Sequence, residues 1–135
     1  MLVIINNKST KSKLEKLENY IKQKNKIIIM YIYAEWCIYC IKFKPEWKDY
    51  IKKINNNNNM KNNIVFVEVE EKYIKLIQNS NNLNKFLKDF KVYPTVVFAS
   101  NNNKIIITGD NKVKELKRLV KDNLKNNKNT NKNNK

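Results

Sequence analysis

The chain is 135 residues long and 41% apolar, enough for one domain to bury its own core and too short for a second. With two cysteines and no histidine, it is neither a secreted disulfide framework nor a catalyst built on a Cys–His pair. Lys and Arg outnumber Asp and Glu by 28 to 12, and the resulting charge of +16 would draw nucleic acid, anionic membrane or acidic partners without any dedicated site. The excess lies in Lys, Asn, Ile and Tyr, which A/T-rich codons encode, and Arg118 is the only arginine. Nucleic-acid sites favour Arg for its bidentate reading of bases and phosphates, so nucleic acid is not expected as a partner.

Residues 1 to 6 form a brief apolar stretch without a basic leader or a small-residue cleavage site, and read as a short buried or edge strand rather than a signal peptide. Ser12-x-x-Glu15 offers a capping box for a helix of about three turns that places Leu14, Leu17 and Ile21 on one face. Ile27 to Tyr33 is a near-continuous apolar run, as in a central strand covered on both faces, and Ile27 to Ala34 falls well short of the roughly 20 residues a membrane span needs. From Cys37, apolar residues at Cys40, Phe43, Trp47, Ile51 and Ile54 keep helical spacing, with Pro45 inside the helix expected to kink it near Ile41. A polar loop at Asn55 to Asn59 ends it. Ile64 to Val69 reads as a strand, and residues 71 to 90 as helical segments interrupted near Asn79 to Asn82. Thr95 to Ala99 and Lys104 to Thr108, joined by Ser100-Asn101-Asn102-Asn103, signal a hairpin. A last helix starts near Asp110, capped by Asp110 or Asn111, with Val113, Leu116, Val120 and Leu124 on one face. The domain therefore spans residues 1–125, and the Asn/Lys-rich stretch 126–135 is expected to be a disordered tail. The order βαβαβαββα implies an α/β fold, a central mixed sheet between two layers of helices.

The only two cysteines, Cys37 and Cys40, sit three apart where the apolar strand hands over to a helix. That spacing brings their Cα atoms within the roughly 7 Å a disulfide needs. A thiolate is the attacking species, and Cys37 in the first helical turn faces unpaired N–H groups and the positive end of the helix dipole. Cys40, a turn deeper on the inward face, is placed to attack a mixed disulfide, which makes Cys37 the nucleophile and Cys40 the resolving thiol. Two other readings compete. A lone CxxC supplies two of the four ligands of a structural zinc, and no histidine can complete the set; alternatively, both cysteines are reduced core residues used as small hydrophobes. Neither metal nor cofactor is expected.

Ala34-Glu35-Trp36-Cys37-Ile38-Tyr39-Cys40, followed by Lys42 and by Pro45, resembles the active-site strand, loop and helix of the thioredoxin family. Tyr93-Pro94-Thr95 resembles the loop that carries a cis-proline in that family, and Gly109 falls at its late glycine. The resemblance covers roughly residues 1 to 125 and implies a thioredoxin fold. It further implies that Trp36 shields the cysteines and packs beside a client peptide. In the same way Pro94 would face the disulfide in the cis form, and the Tyr93 backbone would bond to an extended client.

Departures from the family concern the surroundings of the cysteines. Ile38-Tyr39 replaces the Gly-Pro of thioredoxin and the Gly-His of protein disulfide isomerase, with a tyrosine second as in glutaredoxins, and Tyr39 brings a bulky ring to the rim. Tyr31 stands six positions before Cys37, where the family has a buried acid, and Phe66 stands where a lysine usually reaches toward that acid. Both are expected to modulate the site: Tyr31 is a poor base but a possible hydrogen-bond partner, which would slow resolution by Cys40. The function that follows is a thiol–disulfide oxidoreductase exchanging the Cys37/Cys40 disulfide with client proteins, more as reductase than oxidant. A disulfide reductase or glutathione would serve as electron donor. The expected setting is a cytoplasmic monomer without membrane contact, or a virion should the source be a large DNA virus. The alternatives are a non-catalytic thioredoxin-fold binding module with a Lys-rich surface, or a glutaredoxin- or isomerase-like activity.

Overall fold

A computed structural model describes residues 1–5, 10–23, 25–88, 90–100 and 103–133, with the side chains of residue 10 and of 125 onward excepted. The elements are β1 (Leu2–Ile5), α1 (Thr10–Ile21), β2 (Ile27–Tyr33), α2 (Ile38–Asn55), β3 (Ile64–Glu70), α3 (Ile74–Gln78), β4 (Thr95–Ser100), β5 (Asn103–Ile107) and α4 (Lys112–Asn133). Short 3-10 turns at Glu71–Tyr73 and Asn84–Leu87 bracket α3. The five strands form one sheet in the order β1-β3-β2-β4-β5, parallel across β1, β3 and β2 and antiparallel across β2, β4 and β5. This is the thioredoxin fold, and the order of elements agrees with the sequence reading.

Period-two alternation along β2 divides the core in two. Ile28, Met30 and Ile32 join Val65, Val67, Leu17 and Ile77 on the α1/α3 face, while Ile27, Ile29 and Tyr31 join Phe43, Trp47, Phe66 and Leu116 on the α2/α4 face. Both faces of β2 are therefore covered, which accounts for its unbroken apolar run. Because β2 lies at the middle of the sheet, the turn after Tyr33 opens where the parallel strands end, at the rim between the two layers.

Two local features differ from the sequence reading. Helix α1 begins at Thr10, so Ser12 lies within it and cannot be its N-cap; residues 6–9, where a cap would fall, lie outside the described residues. Helix α2 runs from Ile38 to Asn55 with Pro45 inside it, where proline has no N–H to offer the Ile41 carbonyl. Helix α4 continues to Asn133, where a disordered tail from 126 is expected; the Asn/Lys stretch contains neither Gly nor Pro to stop it, and 134–135 lie outside the described residues. Of the hairpin loop, Asn101 and Asn102 also lie outside. No helix among the described residues is long and apolar enough to cross a membrane.

Candidate active site

After β2 the chain turns at Glu35 and Trp36, closed by a bond from the Cys37 N–H to the Ala34 carbonyl at 3.2 Å. Cys37 is the N-cap of α2, in extended conformation (φ −85°, ψ 115°); its carbonyl accepts the Ile41 N–H at 3.1 Å. Its Sγ accepts the Cys40 N–H at 3.2 Å, doing with sulfur what a Ser or Asp oxygen does at an ordinary cap. Both cysteines are free thiols. With Ala34 they form a small buried cluster against which Tyr33 and Tyr93 pack. Cys37 is 5% exposed and Cys40 3%, so Cys37 is less open than an outer position suggests; its sulfur turns inward to cap the helix.

Apolar side chains left in solvent surround this cluster. Trp36, Ile38, Tyr39 and Ile41 are each more than 60% exposed, and Val92 is 49% exposed. Trp36 is nonetheless positioned: its Nε1 donates to Glu71 Oε1 at 2.6 Å and its ring meets Tyr93 edge-on at 5.6 Å, while Tyr93 rests edge-on against Phe90 at 5.0 Å. The Tyr93–Pro94 peptide is cis, and Thr95 Oγ1 donates to the Val92 carbonyl at 2.6 Å, closing the loop before β4. A groove of about 510 Å³ runs beside the cysteines between Tyr39 and Lys42 of α2, Tyr93 and Pro94, and the Gly109–Lys112 turn. Gly109 has φ +89°, a left-handed conformation that an L side chain adopts only with strain.

Beneath Cys40 the core is aromatic. The Tyr31 hydroxyl donates to the Cys40 carbonyl at 3.0 Å, and its ring lies 5.1–5.3 Å from those of Tyr33, Phe43 and Trp47. Burial first, then the negative potential of Cys40, Cys37 and Glu68, holds the Tyr31 hydroxyl far above the usual phenol range, so it acts as a donor and not as a base. Burial, and after it the hydrogen bond with the Cys37 side chain, pushes the Cys40 thiol up to about 12, against a smaller downward pull from the Ala34 backbone and the Tyr31 hydroxyl.

Of the residues singled out in sequence, Cys37, Cys40, Trp36, Tyr93 and Tyr31 come together, with Tyr39 and Pro94 along the adjoining groove. Phe66 does not join them. The register places it opposite Ile29, two pairs below Tyr31, and its ring packs against Trp47 at 5.5 Å and Tyr50 at 5.9 Å. The residue opposite Tyr31 is Glu68, so the layer under the cysteines is not wholly aromatic: a buried carboxylate enters from β3 and accepts the Trp47 Nε1–H at 2.8 Å. The alternation of Glu68 and Glu70 with valines was visible in sequence, but only the register shows which strand neighbour each acid faces. Lys112 was also missed. It is 6% exposed, donates to the Gly109 carbonyl and stands 5.4 Å over the Phe43 ring, and desolvation lowers its pKa while Asp110, Cys40, Glu46 and Cys37 oppose the shift. Among the described residues no group of three or more Cys, Asp and Glu side chains converges as a metal site would need.

Comparison with known proteins agrees with this geometry. No curated protein matches the chain significantly. Among solved structures it is similar to the thioredoxin of Fasciola hepatica, at 23% identity over 90% of this chain and 98% of that one, with a TM-score of 0.57. It is likewise similar to the oxidised thioredoxin of Plasmodium falciparum, at 20% identity over 90% and 97% with a TM-score of 0.56. The first thioredoxin domain of mouse protein disulfide-isomerase A4 follows at 19% identity over 84% and 73%, with a TM-score of 0.54. These likenesses establish the fold. The family model named Thioredoxin matches residues 8–122, a span that contains both cysteines, Tyr93-Pro94 and Gly109, and by that match the chain belongs to the thioredoxin family, whose general activity is thiol–disulfide exchange.

Proposed function

We propose that the chain reduces disulfides in client proteins, with Cys37 as the attacking sulfur and Cys40 as the resolving one. The Cys37 thiolate attacks one sulfur of a client disulfide, forming a mixed disulfide and expelling the other client sulfur as a thiolate that takes up a proton. Cys40 then gives up its proton and attacks Cys37 Sγ. The Cys37–Cys40 disulfide forms, the second client thiol leaves, and two electrons have passed from the cysteine pair to the client. A disulfide reductase or glutathione returns them. The observation that carries this reading is the capping geometry: Cys37 Sγ accepts the Cys40 N–H at the first turn of α2, which holds the two cysteines together in one small cluster at the helix start. The exposed Trp36, Ile38, Tyr39, Ile41 and Val92 supply an apolar surface that supports binding of an extended client segment beside Tyr93 and Pro94. A cytoplasmic setting and a monomeric form belong to the same proposal.

Insulin reduction driven by dithiothreitol tests it. Wild type is expected to be active, Cys37→Ser inactive, and Cys40→Ser to accumulate a mixed disulfide through Cys37; retained activity in Cys37→Ser would overturn the assignment. Equilibration of the pair with glutathione buffers tests the direction. A potential near the roughly −270 mV of thioredoxins supports a reductase, and one near the about −120 mV of strong oxidants rejects it.

A further inference from the structure

Lys112 opens α4 and is 6% exposed, and its Nζ donates to the Gly109 carbonyl. Three features make this a costly place for a cation. Burial strips the ammonium of water, the first turn of a helix is the positive end of its dipole, and among the described residues no carboxylate lies within ion-pair distance of it. A buried cation without a counter-ion in a cleft points to a functional group. The cleft is the groove beside the cysteines, where Lys112 Nζ stands 5.4 Å over the Phe43 ring. Phe43 follows Cys40 by three residues on the buried face of α2, so the ammonium sits against the helical turn that Cys40 begins. The charged and titratable groups around it are Cys37, Cys40, Lys42 and Glu46 from α2, Asp110 from its own turn, and Tyr39 and Tyr93 along the groove. Asp110 does most to keep the proton on Lys112, followed by Cys40, then Glu46 and Cys37.

We propose that Lys112 is a positioning residue for resolution: its ammonium is the counter-charge of the thiolate that Cys40 must form to attack Cys37. This rests on the roles given to the two cysteines above. In the mixed disulfide Cys40 loses its proton to solvent, its thiolate bonds to Cys37 Sγ, and the bond from Cys37 to the client sulfur breaks; that sulfur leaves as a thiolate and takes up a proton. Lys112 keeps its own proton throughout. Burial makes the Cys40 anion costly, and a cation in the same low-dielectric surroundings offsets part of that cost, where the charge of an exposed lysine would be screened. The buried ammonium thus gains an anion at the step in which the buried thiol becomes one.

Stopped-flow mixing with excess 4,4′-dithiodipyridine, a disulfide without charge at neutral pH, tests it: attack by Cys37 releases one thiopyridone and resolution by Cys40 a second. Loss of an opposite charge nearby raises a thiol pKa by about one unit or more. The thiolate fraction then falls about tenfold, of which higher nucleophilicity regains about threefold. Lys112→Met and Lys112→Gln should therefore slow the second release about threefold or more at pH 8, and slow it more than the first. Lys112→Arg, which keeps the charge, should stay within about twofold of wild type, as should Lys114→Met, an equal charge change at an exposed position of the same helix. Gln can still donate to the Gly109 carbonyl, so a second release as fast in Lys112→Gln as in wild type would assign Lys112 to holding the turn and overturn the proposal. So would a second release within about twofold of wild type in Lys112→Met, or one equally slow in Lys112→Arg and Lys112→Met. Release of a single thiopyridone by the wild type would instead refute the resolving role of Cys40, and this inference with it. Circular dichroism checks that the variants fold; should Lys112→Met fail, Lys112→Gln carries the same expectation.

Discussion

Resolution by Cys40 should be slow and should quicken with pH without levelling off across the neutral range. Burial and the bond to Cys37 push the Cys40 thiol up to about 12. The full shift sets an upper bound: at pH 8 it would leave a thiolate fraction of roughly 10⁻⁴, against about one quarter for an ordinary thiol of pKa about 8.5. Intrinsic nucleophilicity rises with pKa with a Brønsted slope of about 0.4–0.5, which recovers roughly 40-fold, so the handicap is at most of order 10². In the mixed disulfide the Cys37 hydrogen bond and charge no longer act, but burial, the largest cause, persists, so the direction holds. Stopped-flow mixing of the reduced protein with an excess of 5,5′-dithiobis(2-nitrobenzoate) separates the two events: attack by Cys37 releases one coloured thiolate and resolution by Cys40 a second. The second rate should climb toward tenfold per unit between about pH 7 and 9. A plateau in that interval would refute the reasoning. Tyr31→Asp, which puts a carboxylate where the structure has a hydroxyl donating to the Cys40 carbonyl, should accelerate the second phase; an unchanged rate would show that Tyr31 does not limit it.

The raised Cys40 pKa also has a consequence for stability. The unfolded thiol loses its proton near pH 8.5 while the folded one keeps it, so stability is fully present below about pH 8.5 and is lost as pH rises toward 12; urea midpoints of the reduced protein should fall above pH 9, and those of Cys40→Ser should fall less. Trp47→Phe strips the buried Glu68 carboxylate of its donor and should cost about 2–3 kcal/mol in urea unfolding, since a bond to a charged group is lost with its partner still buried; a loss under about 1 kcal/mol would mean that Glu68 finds water or another donor. Gly109→Ala meets nothing within 4 Å, yet its φ of +89° should cost about 1–2 kcal/mol in backbone strain alone. Trp36→Ala removes a 66% exposed ring and should change stability by less than about 1 kcal/mol while raising the KM for insulin several-fold; an unchanged KM would place client binding elsewhere on the rim.

Much of the fold was legible because its signals are local. The unbroken apolar run Ile27 to Tyr33 marks a strand buried on both faces, and it is the central strand; the helical spacing of Phe43, Trp47, Ile51 and Ile54 marks the inner face of α2, and all four are buried. The cysteine pair was legible for the same reason, since three residues at a helix start fix their own separation without help from the rest of the chain. Ends were less legible. Ser12 looked like a cap because its own side chain suits one, but the helix starts earlier, and the Asn/Lys stretch after 125 lacks the Gly or Pro that would mark a stop.

What the sequence by itself determined, then, is the set of elements, their order and the reaction that two cysteines at that spacing can perform. Only the tertiary structure decided what surrounds the cysteines, because those neighbours arrive from distant segments through strand register. Two register positions separate Phe66, which packs below on Trp47 and Tyr50, from Glu68, which faces Tyr31. The same folding carries Tyr93 against Trp36 and sinks Lys112 over Phe43. Burial is a property of the assembled layers and not of any one segment, and it is burial that raises Cys40 and keeps Tyr31 a donor.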